Sequence, residues 1–127
     1  MSYTHSITIT YNGGSSPIIT GSNEYTAGAE SNISESIATG TNTLVAFTAD
    51  VSQMKTLLLY SDVSMTIKTN SSGSPDATVT LVAGQPLVWN SINGQTNPFG
   101  STDVTALYVT NASTAAFTLK CLFDPTV

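Results

Sequence analysis

Arginine is absent from this chain, and cysteine, histidine and tryptophan each occur once among its 127 residues. Charged residues make up only 9 %, against about a quarter in an ordinary globular protein. The basic side chains are Lys55, Lys68 and Lys120, and the net charge is −5. A nucleic-acid surface needs a cluster of cations to displace counterions from phosphates, so three scattered lysines exclude nucleic acid as an expected partner. The same shortage argues against docking on an anionic membrane. No apolar run approaches the roughly 20 residues of a membrane-spanning helix. The first residues, Met1 to Ser6, carry neither a basic segment nor a long apolar one, so an ordinary signal peptide is not expected. The chain is expected to be made in a cytoplasm and to leave it only inside something larger.

Chemistry is equally sparse. Cys121 has no second cysteine to pair with; it stands in phase with Phe117 and Leu119 and reads as a small buried hydrophobe. His5 stands at the start of the first strand-like segment and reads as an exposed terminal histidine. No strand-turn-helix nucleophile elbow accompanies it. One histidine and one cysteine at opposite ends cannot supply a zinc site. The local calcium candidates are Asp76 with Asn70 and Asp103 with Asn97, and neither has the alternating acidic spacing of a calcium loop. The eight carboxylates are scattered, so a glycosidase-like pair among them carries no signal. Gly13-Gly14 lacks the helix and lysine of a phosphate loop. No catalytic, cofactor-binding or metal-binding residue is therefore assigned, no cofactor is expected, and the chain is read as a non-enzyme.

What the sequence has in abundance is hydroxyl side chains, 17 Ser and 21 Thr. With so little charge and with apolar residues in periodic runs, these are the solvent faces of strands, where threonine packs well. Ile7, Ile9 and Tyr11 alternate with Thr8 and Thr10, the period-2 signature of a half-buried strand. Asn12 to Ser16 breaks the chain, and Pro17 to Thr20 reads as an edge segment, because proline cannot donate to a ladder. Ile33 and Ile37 mark a strand, then Leu44 and Ala46, with Phe47 in doubt. Asp50 is a good N-cap for a short helical turn. Leu57-Leu58-Leu59-Tyr60 is the strongest apolar run and suits a strand buried on both faces. Met65 with Ile67, Ala77 to Leu81, Leu87 to Trp89, Ala106 to Thr110 and Phe117 to Cys121 complete the set. Polar loops separate them at Asn70 to Asp76 and at Ser91 to Gly100. Trp89 is expected in the core, and Tyr25 and Tyr108 at the surface, where tyrosine favours interfaces. The sequons at Asn32, Asn70 and Asn111 are expected by chance in so hydroxyl-rich a chain.

Eight or nine short strands without a helix-period segment predict an all-β protein. The expected architecture is a jelly-roll-like or Greek-key β-sandwich forming a single domain over residues 1–127. Such a sandwich has edges, and few charges here protect them, so completion by neighbouring subunits is expected.

Two stretches carry a family likeness: Leu59-Tyr60-Ser61-Asp62 through Thr69-Asn70, and Thr102 through Ala112. With Ser74 to Ala77 and Pro86 to Trp89, the pattern runs from about Thr43 to the C-terminus. It resembles small virion proteins of tailed bacteriophages, in particular capsid cement or decoration proteins. The resemblance implies a jelly-roll-like protein, often trimeric, whose partner is a major capsid protein. It implies a place on the capsid surface of the virion and a role in stabilising the shell. A tail or fibre module is the alternative within that group, and a carbohydrate-binding module using exposed aromatics is the alternative outside it. The matching residues are strand and turn residues, so no binding residues carry over.

Overall fold

A computed structural model describes residues 2–15 and 18–125. These form ten strands: β1 (Tyr3–Tyr11), β2 (Ile19–Ala27), β3 (Ala29–Ile37), β4 (Gly40–Val45), β5 (Met54–Ser61), β6 (Met65–Thr69), β7 (Thr78–Leu81), β8 (Leu87–Asn90), β9 (Leu107–Asn111) and β10 (Ala115–Phe123). The edge segment expected at Pro17 lies partly outside the described residues; from Ile19 onward it belongs to β2. The strand count exceeds the expected eight or nine because the N-terminal segments form two full-length strands.

Eight of the strands make two antiparallel four-stranded sheets, ordered β3-β10-β5-β8 and β4-β9-β6-β7. Every connection from β3 to β10 except β6–β7 crosses from one sheet to the other, which is the jelly-roll winding. The expected all-β sandwich is the fold observed.

Period-2 alternation decides what lies between the sheets. Leu57 and Leu59 from β5, Phe117, Leu119 and Cys121 from β10, Ile67 from β6, Val79 and Leu81 from β7, and Leu107 and Val109 from β9 all point inward and are buried. Trp89 joins them as expected, and its Nε1–H donates to the Gln95 carbonyl at 2.8 Å. That bond satisfies the indole and ties down the polar loop from Ser91 to Gly100. The loop is also pinned by buried Phe99, whose ring lies 6.0 Å from that of Phe47 at 49°. Asp50 does cap a turn: Val51–Gln53 is 3₁₀, and Asp50 Oδ1 accepts from the Ser52 backbone N–H at 3.0 Å.

The phase of β4 is the reverse of the one expected. Leu44 and Ala46 face solvent, while Val45 and Phe47 enter the core. β4 is an edge strand paired only with β9, and its run of apolar residues reads equally well in either phase. A shift of one residue exchanges the two faces.

Candidate functional site

The remaining two strands, β1 and β2, form an antiparallel ribbon that belongs to neither sheet. Residues opposite each other in the ladder share a face. One face therefore carries Thr4, Ser6, Thr8 and Thr10 against Thr26, Glu24, Ser22 and Thr20. The other carries Tyr3, His5, Ile7, Ile9 and Tyr11 against Ala27, Tyr25, Asn23, Gly21 and Ile19. The ribbon is amphipathic across its thickness, and hydroxyl pairs such as Thr8–Ser22 at 3.0 Å line its polar side.

The base of the apolar face lies on the outer surface of the β3-β10-β5-β8 sheet, making a third layer. Tyr25 and Ala27 are buried there against Leu122, with Tyr3 and Ile7 packed around them. Leu122 points away from the main core and is fully buried only because the ribbon covers it. In register across the sheet, Glu30, Leu122, Thr56 and Asn90 form one row, and Asn32, Lys120, Leu58 and Val88 the next. The ribbon base covers the first row at Leu122 and Thr56; in the second, Leu58 is half-buried and Lys120 and Val88 are exposed.

His5 ties the ribbon to this surface. Its Nε2 lies 2.7 Å from Glu30 Oε2, and its Nδ1 lies 3.3 Å from Thr56 Oγ1. A carboxylate only accepts, so Nε2–H donates to Glu30; in the neutral ring Nδ1 then accepts from the Thr56 hydroxyl. His5 is thus not the exposed terminal histidine expected. It is covered because the ribbon folds back over β3 and β5, which nothing local in the sequence announces. The order hydroxyl, imidazole, carboxylate has the connectivity of a hydrolytic triad. Thr56, however, is only 3 % exposed and is paired in the sheet with Leu122 of β10 on one side and Asn90 of β8 on the other. What this arrangement does chemically is fix the imidazole at both nitrogens, a latch between ribbon and sheet.

Beside the latch runs an open groove of about 410 Å³. One wall is the ribbon from His5 to Thr8, and the floor and far wall are Leu58, Val88 and Lys120. The expectation that the Leu57–Tyr60 strand is buried on both faces therefore holds for half of it: Leu57 and Leu59 are sealed, whereas Leu58 and Tyr60 are half-buried.

The other sequence candidates go elsewhere. Asn70, in a positive-φ conformation that asparagine tolerates, is a loop organiser. Its Nδ2 donates to Asp76 Oδ2 at 2.6 Å and to the Asp103 carbonyl at 2.8 Å, and its Oδ1 accepts from the Thr105 N–H at 2.7 Å. Asp103 Oδ1 accepts from the Val51 N–H, and Asn97 Oδ1 from the Phe99 N–H. These oxygens hold backbone, and no group of three metal-type side chains occurs among the described residues. Tyr25 is not at the surface: it faces the sheet from the ribbon base and is buried against Leu122, and its hydroxyl finds no partner among the described residues. Tyr108 is half-buried, and the aromatic that does stand in solvent is Tyr11. Cys121 is sealed in the core as expected, and burial pushes its thiol up to about 12.

The ribbon's role was readable only in part. The alternation of Ile7, Ile9 and Tyr11 is plain in the sequence, but its target is not. Leu122 follows Cys121 directly and so breaks the alternation of β10; that extra apolar residue is the one signal that a further layer covers the sheet.

The chain is thus a jelly-roll sandwich carrying an N-terminal hairpin arm. No family model matches it, and no curated protein and no solved structure matches it significantly.

Proposed function

We propose that this chain is a structural virion protein that binds the outside of a bacteriophage capsid and stabilises it, working as a homo-oligomer, a trimer by the resemblance drawn above. Its partner in this reading is the major capsid protein, and its place is the capsid surface. The observation that carries the reading is the arm. Beyond Ile7 it is a two-stranded ribbon whose apolar side chains Ile9, Tyr11 and Ile19 stay open to solvent. A large exposed apolar surface marks a contact site, and a ribbon of two strands has little stability of its own. The rest of the surface is short of charge, which suits adhesion to protein. In this proposal the chain acts by binding and carries out no reaction.

The test is location and effect. Antibody raised against the chain is expected to label the heads of purified virions of the phage that encodes it. Capsids stripped of the protein are expected to break at lower temperature and to recover when it is added back. Label confined to tails or fibres, or an unchanged breaking temperature, overturns the proposal.

A further inference from the structure

The arm continues well past the surface it lies on. From His5 to Tyr11 an extended strand advances about 20 Å. Over that length Ile9 (58 % exposed), Tyr11 (73 %) and Ile19 (66 %) keep the phase of the buried base but have no surface under them. From Ser6 to Asn23 the sequence carries no charged residue, so nothing in the tip opposes its burial in protein. Natural edge strands are usually protected by charges or proline; the described tip of this ribbon, residues 7–11 with 19–23, shows neither.

A receiving surface with matching chemistry exists on the same molecule. The groove beside the latch lies on the outer sheet face that the arm base already covers. Its apolar floor, Leu58 and Val88, is the next row of that sheet. The arm's own strand from His5 to Thr8 forms one wall of the groove, while its tip residues Ile9, Tyr11 and Ile19 are exposed and do not line it. A tip from another molecule laid beside that wall would extend the ribbon-on-sheet packing that Tyr3, Ile7, Tyr25 and Leu122 begin.

We infer that the arm tip of one copy docks, through Ile9, Tyr11 and Ile19, in the Leu58–Val88 groove of a second copy. The assembly is closed by exchange of arms. This deepens the assembly reading above and rests on it for the premise that copies meet. Each arm adds a layer to its neighbour's outer sheet face, so the contact is continuous with the intramolecular one and uses the same side of the ribbon. Lys120 stands at the rim, where its ammonium stays in water while its stem flanks the apolar floor.

The experiment measures mass by sedimentation equilibrium for the wild-type chain, an arm variant (Ile9→Ser with Tyr11→Ser) and a groove variant (Val88→Lys). The wild type is expected to be oligomeric. Both variants are expected to dissociate with an affinity about 100-fold weaker, the loss typical of a central anchor. The arm positions are solvent-exposed, so circular dichroism and melting temperature of that variant should stay near wild type. A second measurement does not depend on dissociation. Tyr11→Cys protein mixed with Val88→Cys protein is expected to give a disulfide-linked heterodimer on oxidation, Cys121 being sealed in the core. A wild-type monomer, or an oligomer that survives both variants without the mixed disulfide, overturns arm exchange. In either event capsid labelling still decides the virion reading separately. A monomer whose arm variant loses capsid binding would assign the tip to the shell instead.

Discussion

The side-chain amide of Asn111, on β9, donates to the backbone carbonyl of Ile37, at the end of β3, across a distance of 3.1 Å. The two residues belong to different sheets, so one buried amide stitches the sandwich together at its rim. The same nitrogen lies 3.3 Å from the Ala38 carbonyl and 2.8 Å from that of Ser113. Replacing it with Asn111→Ala leaves these carbonyls short of a donor in a covered place. The expected cost is about 1–3 kcal/mol in urea unfolding. Asn111→Asp should cost more, since an ionised carboxylate would face carbonyl oxygens with no hydrogen to offer. A loss within error for both would show that the stitch does not hold the sheets.

Tyr25 sets up the opposite case. Its hydroxyl is buried where the ribbon packs on the sheet and has no partner among the described residues. An unpaired buried polar group is destabilising, and removing it while keeping the ring relieves that cost. Tyr25→Phe is expected to raise stability by up to about 1 kcal/mol, whereas Tyr25→Ala should loosen the ribbon base. Thermal unfolding of the two variants checks both signs.

Cys121 gives the molecule an alkaline limit. Burial raises its thiol from an ordinary 9.0 to about 12, so the folded state keeps a proton that the unfolded chain releases. The contribution is whole below pH 9.0 and is lost as pH rises toward 12. The slope is about 1.4 kcal/mol per pH unit in that window. Denaturant curves between pH 8.5 and 10.5 should show this slope for the wild type and a shallower one for Cys121→Ala. In the native protein at pH 8, a thiol reagent should react only after denaturant is added. Prompt reaction without denaturant would contradict the buried placement.

The phase of β4 can be checked with a pair of neighbours. Leu44→Ser changes an exposed side chain and should alter stability by less than about 0.5 kcal/mol. Val45→Ser puts a hydroxyl into the core beside a lost methyl and should cost about 2 kcal/mol or more. Equal effects would mean the strand is not seated as described.

These pairs also show where the sequence is a good guide and where it stops. Ile67 in β6, Leu107 and Val109 in β9, and Leu119 in β10 alternate with polar or half-polar neighbours, Phe117 and Cys121 keep the same phase, and all enter the core. Alternation is a local property, and a sheet with one buried face writes it directly into the chain. Leu44-Val45-Ala46-Phe47 is apolar throughout, so its phase is settled by which side β9 and the opposite sheet lie on. That is tertiary information. Tyr25, His5 and Leu122 fail for a related reason: each is covered by an element distant in sequence, and the ribbon fold-over that covers them leaves only the extra apolar residue after Cys121 as a trace. Half of the candidate site, the apolar face of β1, was legible; the groove and latch, which need β3, β5 and β8 side by side, were not.

The position of β10 has a kinetic consequence. It lies between β3 and β5, pairing Ala115 with Ile37 and Leu119 with Leu59. The β3-β10-β5-β8 sheet therefore cannot close until a strand from one end of the sandwich sequence finds one from the other. Closing so long a loop must precede the contacts that reward it, which makes folding slow relative to a helical protein of this size. On a ribosome, β5 and β8 can pair with each other as they emerge, whereas β3 has no partner in its sheet until β10 follows. Glu30 and Glu35 are then the charges that guard this waiting strand against pairing with the wrong neighbour.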